Sequence, residues 1–260
     1  MMIVPSTTPR LNDGVLQPIE RPILRWLVQR IPDSIGPDAL SLFGIFGAAL
    51  AFIAYAGSRW QIDWLWLASL GLVINWLGDS LDGTLARYRK IERPKYGFFV
   101  DQGADIVCQL LIGFGIGLCP FVRFDVASIG LVAYLVLASL TLVRRCALGT
   151  MQICHGRMGP TELRVALIAL NTSWLFYEPH RLHTMFGTFS LADVAILAAS
   201  CVAFLGFAYS SLKEAKALRV QDPAIRRPLF HLLADEESRS VPHPGALLSR
   251  QSLDQLEAEA

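Results

Sequence analysis

Long apolar runs alternate with short polar ones along most of the chain. Runs of the ~20 mostly apolar residues that a bilayer crossing needs fall at 39–57, 62–83, 98–119, 126–143, 161–177 and 191–211. The predicted fold is an all-α integral membrane protein with six transmembrane helices. Arg164, Asn171, Thr172 and Ser173 interrupt the fifth run, as they would in a soluble segment, yet the expected count stays at six. Before the first run, "PIERPILRWLVQRIP" sets Ile23, Leu24, Trp26, Leu27 and Ile31 against Arg21, Arg25 and Arg30. That pattern predicts a short amphipathic helix lying in the interface; a plain connecting turn is the alternative.

Charge placement orients these runs. The stretch between the second and third runs holds Arg87, Arg89, Lys90, Arg93 and Lys95, and that between the fourth and fifth holds Arg144, Arg145 and Arg157. The opposite loops carry one arginine each, Arg59, Arg123 and Arg181. The positive-inside rule then puts both termini and the basic loops in the cytoplasm. After residue 212 the chain turns polar, basic first (Lys213, Lys216, Arg219) and acidic later (Asp235, Glu236, Glu237), as in a cytoplasmic tail with a disordered end. Three regions follow: residues 1–38 with the interfacial helix, residues 39–212 as a six-helix transmembrane catalytic domain, and residues 213–260 as a partly disordered cytoplasmic tail.

Composition agrees with a membrane protein. With 53% hydrophobic and 17% charged residues the chain is too apolar for an ordinary soluble domain of this length. Lys plus Arg exceed Asp plus Glu by only 23 to 22, so charge indicates no nucleic-acid partner. Cys108, Cys119, Cys146, Cys154 and Cys201 are scattered and form no CxxC pair, which indicates neither a disulfide framework nor a zinc site. No apolar core follows a basic start at the N-terminus, so the first membrane helix is expected to direct insertion.

Against this background "GDSLDGTLARYRKIERPKYGFFVDQGADIV" is anomalous, because four acids stand in oily surroundings. On a helix turning 100° per residue, Asn75, Asp79, Asp82 and Ala86 fall within a sector of roughly 60°. Gly97, Asp101 and Asp105 likewise share one stripe of the next helix. The loop between these helices is short, so they are expected to be antiparallel and their carboxylates to converge. One carboxylate at the bilayer centre costs about 2.5–3.5 kcal/mol, so a counter-charge is required. All-oxygen ligands suit Mg²⁺, Mn²⁺ or Ca²⁺, and four carboxylates can hold two ions, the arrangement that phosphoryl chemistry uses. Gly83 and Ala86 admit a close approach beside Asp82, and the Arg87 guanidinium matches phosphate oxygens.

"DSLDGTLAR" and, nine residues later, "GFFVDQGAD" resemble the signature of the CDP-alcohol phosphotransferases, D-x2-D-G-x2-A-R, a spacer, then G-x3-D-x3-D. All eight fixed positions are present: Asp79, Asp82, Gly83, Ala86, Arg87, Gly97, Asp101 and Asp105. The resemblance implies transfer of a substituted phosphate from a CDP-linked donor to an alcohol, with release of CMP, in phospholipid synthesis. It implies that Asp79, Asp82, Asp101 and Asp105 hold two Mg²⁺ or Mn²⁺ ions, with Asp105 also the general base. Gly83, Ala86, Arg87 and Gly97 would line the donor site. The family also implies a homodimer, while the positive-inside rule puts the aspartate cluster at the cytoplasmic face and the brevity of the chain suggests a multi-pass protein of a bacterial inner membrane.

Which substrate carries the lipid stays open. Brevity favours CDP-diacylglycerol with a small polar acceptor; the alternative is a CDP-choline or CDP-ethanolamine type headgroup passed to diacylglycerol. In "HGRMGPTELR" (155–164), Arg157 and Arg164 are candidates for an acceptor phosphate or lipid headgroup. The competing reading is a Gly-Pro turn with Thr161 capping the next helix and arginines anchoring it. Arg144, with Arg145, reads as a positive-inside anchor, an acceptor role being the minority reading. His155 beside Cys154 lacks partners for a metal site. A membrane prenyltransferase would separate its aspartate motifs widely, and a cation transporter would distribute its acids through the membrane depth.

Overall fold

In the computed structural model residues 10–11, 16–148, 151–152, 159–177, 181–185 and 187–221 are described. Within them the elements are β1 (Arg10–Leu11), α1 (Gln17–Val28), α2 (Pro37–Gly57), α3 (Trp64–Tyr88), α4 (Pro94–Leu118), α5 (Phe124–Leu148), β2 (Met151–Gln152), α6 (Pro160–Phe176), β3 (Arg181–Thr184), β4 (Gly187–Ser190) and α7 (Leu191–Gln221). The protein is thus mostly helical, and α1 through α7 fall on the amphipathic segment and the six apolar runs. β1 pairs in parallel with β2, and β3–β4 is a small antiparallel hairpin before α7. By its contacts the chain divides into residues 1–211 and 212–260, and of the second unit the described part is residues 212–221, the end of α7.

Four helices, α2, α4, α5 and α7, are long and apolar enough to cross a membrane, and with the family assigned below they make this an integral membrane protein. In α3 the polar positions Asn75, Asp79 and Asp82 lower the hydropathy, although its 25 residues rise ~37 Å. The 17 residues of α6 rise ~26 Å, just short of a hydrocarbon core of ~30 Å. Most of its polar groups find partners within the bundle: Asn171 is fully buried and its Nδ2 donates to Ser69 Oγ of α3 at 3.1 Å, while the Thr172 and Ser173 hydroxyls donate to backbone carbonyls one turn back. Such bonding is what makes polar side chains compatible with an apolar surround.

A glycine seam brings α2 and α3 together. A Cβ at Gly78 would lie 2.4 Å from Gly44 Cα, one at Gly47 2.4 Å from Asn75 N, and one at Gly71 2.6 Å from Ala51 N. Backbone meets backbone there, as small residues permit in a membrane. α4 packs on α2 as well, where Gly115 sits against Phe52 and Tyr55. The core clusters Tyr55, Leu65, Leu72, Cys119 and Trp174 around this junction. A second apolar cluster, Leu24, Val28, Leu40, Leu81 and Leu85, seats α1 on α3.

The α1–α2 turn and the start of α2 are tied by the basic residues of the α3–α4 loop. α3 ends in a Schellman arrangement: Ile91 N donates to Ala86 O and Lys90 N to Arg87 O, with Lys90 in the left-handed region at φ 57°. Arg89 then caps the α1–α2 turn by donating to Ile31, Pro32 and Ile35 carbonyls, and Arg93 grips Asp38 with both carboxylate oxygens at 2.9 and 2.7 Å. These arginines are therefore structural clamps as well as charges that orient the chain.

Candidate active site

The periodicity of α3 puts Asn75, Asp79 and Asp82 on one face, and that of α4 does the same for Asp101 and Asp105. Packing then brings the two faces together. Asp79, Asp101 and Asp105 each offer a carboxylate oxygen, all within 4.8 Å of one another, a cluster able to hold a cation. Three convergent carboxylates form the hard all-oxygen donor set that Mg²⁺ or Mn²⁺ takes. Gln102 Nε2 donates to Asp101 Oδ2 at 3.2 Å and so helps to fix that side chain.

Asp82 behaves differently. It lies on the same α3 face, one turn on, but is buried against α2, where Ser41 Oγ donates to Oδ2 at 2.6 Å and the Gly83 N–H donates to Oδ1. The glycine seam makes that contact possible by bringing α2 to within reach. Ser41 carries no periodic signal, so the sequence does not point to it.

The counter-charge comes from α6. Arg164 Nη2 lies 2.8 Å from Asp79 Oδ2, and its Nε donates to Asn75 Oδ1 at 2.8 Å. Asn75 is fixed in turn by donating to the Gly44 carbonyl at 3.0 Å. With side-chain exposures of 12% for Arg164 and 26% for Asp79, this pair is shielded well beyond an ordinary surface pair. Arg164 thus joins the acids, whereas Arg144 is buried near the end of α5 and Arg157 lies outside the described residues. Thr161 does not cap α6; it turns toward Glu20 of α1, and the Glu162 carboxylate instead accepts from the Gly159 N–H at 2.9 Å.

The small residues and Arg87 lie toward the loop end of α3. The Arg87 guanidinium bonds Thr84 Oγ1 at 3.2 Å and lies over Gly83, where a Cβ would approach Nη1 to 3.3 Å. A Cβ at Gly97 would meet nothing within 4 Å, so no neighbour in the chain demands glycine there. Ala86 is half-buried one turn past Asp82.

On its other side the cluster opens into a cavity of about 310 Å³ among α4, α5, α6 and α7. Asn75, Asp105 and Arg164 stand at one end, with Gln109 one turn along from Asp105 and Tyr134 beside Arg164. Beyond them the lining is Cys108, Ile112, Gly113, Ile116, Leu131, Leu137, Leu163 and Leu167, with Ala199 and Ala203 of α7. Ser200 satisfies its hydroxyl on the Ile196 carbonyl. The four described cysteines, Cys108, Cys119, Cys146 and Cys201, are free thiols.

Carboxylates able to hold a cation, an arginine beside them and an apolar cavity beneath thus meet in one helical bundle. Comparison with known proteins specifies the class. The family model for CDP-alcohol phosphatidyltransferases matches residues 35–196, more than half of the chain, and the chain belongs to that family. It is also 31% identical over 108 residues to cholinephosphotransferase 1 of Gallus gallus, a match covering 39% of this chain and 32% of the relative. The chain therefore spans about a third of the length of the curated relative it matches.

Proposed function

We propose that this protein transfers a substituted phosphate from a CDP-linked donor to the hydroxyl of a lipid alcohol, releasing CMP. The observation that carries the reading is the convergence of Asp79, Asp101 and Asp105 at the polar end of an apolar cavity. In this reading Asp79, Asp101 and Asp105, joined by Asp82 once Ser41 releases it, hold two Mg²⁺ or Mn²⁺ ions. Bound there, the metal would offset the negative charge of the diphosphate and of the departing CMP.

The chain's own residues do the rest. The donor lies along the cytoplasmic end of α3, where Gly83 and Ala86 admit it, Arg87 forks onto phosphate oxygens and Gly97 leaves room for the nucleotide. The acceptor comes from the membrane side, with its apolar body in the cavity and its hydroxyl at Asp105. Asp105 accepts the hydroxyl proton, the oxygen attacks the phosphorus that bears the transferred group, and the P–O bond to CMP breaks. Arg164, held by Asn75, keeps Asp79 oriented. No covalent enzyme intermediate is needed.

The sequence favours CDP-diacylglycerol as donor. Two observations favour the other assignment, a polar CDP-headgroup passed to a diacylglycerol-like acceptor: the apolar lining directly beyond Asp105, which offers few partners for a polyol or amino acid, and the similarity to a cholinephosphotransferase. We adopt that assignment, and with it six membrane crossings, a cytoplasm-facing site in a bacterial inner membrane, and a homodimer as the family resemblance implies.

The test is CMP release by the purified protein in lipid nanodiscs with Mg²⁺. One arm offers labelled CDP-choline or CDP-ethanolamine with diacylglycerol; the other offers CDP-diacylglycerol with serine, inositol or glycerol 3-phosphate. CMP in the first arm is expected. CMP in the second arm alone overturns the acceptor assignment, and none in either overturns the reaction.

A further inference from the structure

Glu20 lies on α1, outside both the 79–105 signature and the 35–196 family match, yet its carboxylate is bonded to both helices that carry the Asp79–Arg164 pair. Trp76 Nε1 and Ser80 Oγ of α3 donate to Glu20 Oε1 at 2.9 and 3.0 Å. Thr161 Oγ1 of α6 reaches Oε1 and Oε2 at 3.3 and 3.4 Å. A carboxylate oxygen accepts, so Trp76, Ser80 and Thr161 each donate to Glu20 and converge on one side chain.

The positions of these donors matter. Trp76 and Ser80 are one turn apart on α3, and Ser80 is the neighbour of Asp79 in sequence. Thr161 stands three residues, about one turn, before Arg164 on α6. At the far end of α6, Asn171 is pinned to Ser69 of α3. α6 is therefore tied directly to α3 at Asn171 and Arg164, and at its first turn through Thr161 to Glu20, with Glu162 also accepting from Leu16 N at 3.0 Å. Removing the Glu20 carboxylate frees the first turn of α6 from its bridge to Trp76 and Ser80 of α3, while α1 stays seated through Leu24 and Val28 on Leu81 and Leu85.

We propose that Glu20 is a positioning residue, holding the first turn of α6 against α3 so that Arg164 stays on Asp79 and Asn75. The proposal rests on the reading of Asp79 and Arg164 as part of the phosphotransfer site. It makes α1 part of the active-site scaffold as well as an interfacial helix.

The test uses the full-length protein and two readouts, Mn²⁺ affinity followed by electron paramagnetic resonance and the rate of CMP release. Arg164 competes with a cation for Asp79, so displacing it tightens Mn²⁺ binding. Glu20→Gln and Arg164→Ala are each expected to tighten Mn²⁺ about fivefold to tenfold, and the double variant to bind no tighter than Arg164→Ala alone, because residues acting as one unit are non-additive. Glu20→Gln should also lower kcat at least about tenfold with the donor KM within about twofold, as small misplacements do. Unchanged Mn²⁺ affinity, or additive effects in the double variant, overturns the proposal. Thr161→Val removes only the α6 strut and must shift Mn²⁺ affinity in the same direction, which carries the test if Glu20→Gln fails to fold. A wild-type protein that neither binds Mn²⁺ nor releases CMP overturns the site reading and this one with it.

Discussion

Arg164 on α6 meets Asp79 on α3 at 2.8 Å, supplying a cation to the acid cluster from outside the stretch that contains the acids. The pair places a positive charge among carboxylates that sit together in a largely apolar bundle. It also predicts a trade between arginine and metal.

Arg164→Ala leaves Asp79 facing Asp101 and Asp105 without that counter-charge. The metal-free variant should lose on the order of 2 kcal/mol, between the values for exposed and for fully buried pairs. Thermal unfolding in detergent checks this, and Mn²⁺ should raise the variant's Tm by more than it raises that of the wild type. Equal shifts in both proteins would contradict the pairing.

Asp105→Asn removes a proton acceptor while keeping size and hydrogen-bonding shape. CMP release should fall by about 10²–10⁴, the usual contribution of a positioned general base, while metal-dependent donor binding stays measurable by calorimetry. Full activity would remove Asp105 from that role.

Excess chelator should abolish turnover, and Mg²⁺ or Mn²⁺ should restore it, because the diphosphate charge then has no other neutraliser at the three acids. Persistent CMP release in chelator, measured with metal-free donor, would exclude the cation site.

Gly78→Ala tests the seam that delivers Asp79 and Asp82 to their places. The new Cβ would stand 2.4 Å from Gly44 Cα and N, and backbone atoms have no rotamer by which to yield. A loss of at least about 1–3 kcal/mol is expected, as for overpacking in a tight core, read as a lower Tm with reduced Mn²⁺ binding. Gly97→Ala, with nothing within 4 Å, should leave Tm unchanged and weaken donor binding alone.

The sequence by itself determined what depends on short spacing. The 3.6-residue period put Asp79 and Asp82 on one helix face and Asp101 and Asp105 on another, and the eight signature positions pointed to the family that the comparison supports. Apolar run lengths placed α2 to α7, including α6, which the polar residues Arg164, Asn171, Thr172 and Ser173 interrupt, and the amphipathic pattern placed α1. Tertiary structure decided what depends on contacts between distant segments. The sequence offered Arg164 as one of three acceptor candidates, and only packing showed that it reaches Asp79 while Arg144 stays buried elsewhere on α5. Ser41 on Asp82, Glu20 beneath Trp76, Ser80 and Thr161, and the apolar cavity shared by four helices had no signal in any local pattern. Local periodicity fixes the face on which a side chain leaves its helix, but which face it meets is set by how closely helices can approach, and here the glycines of α2 and α3 set that distance.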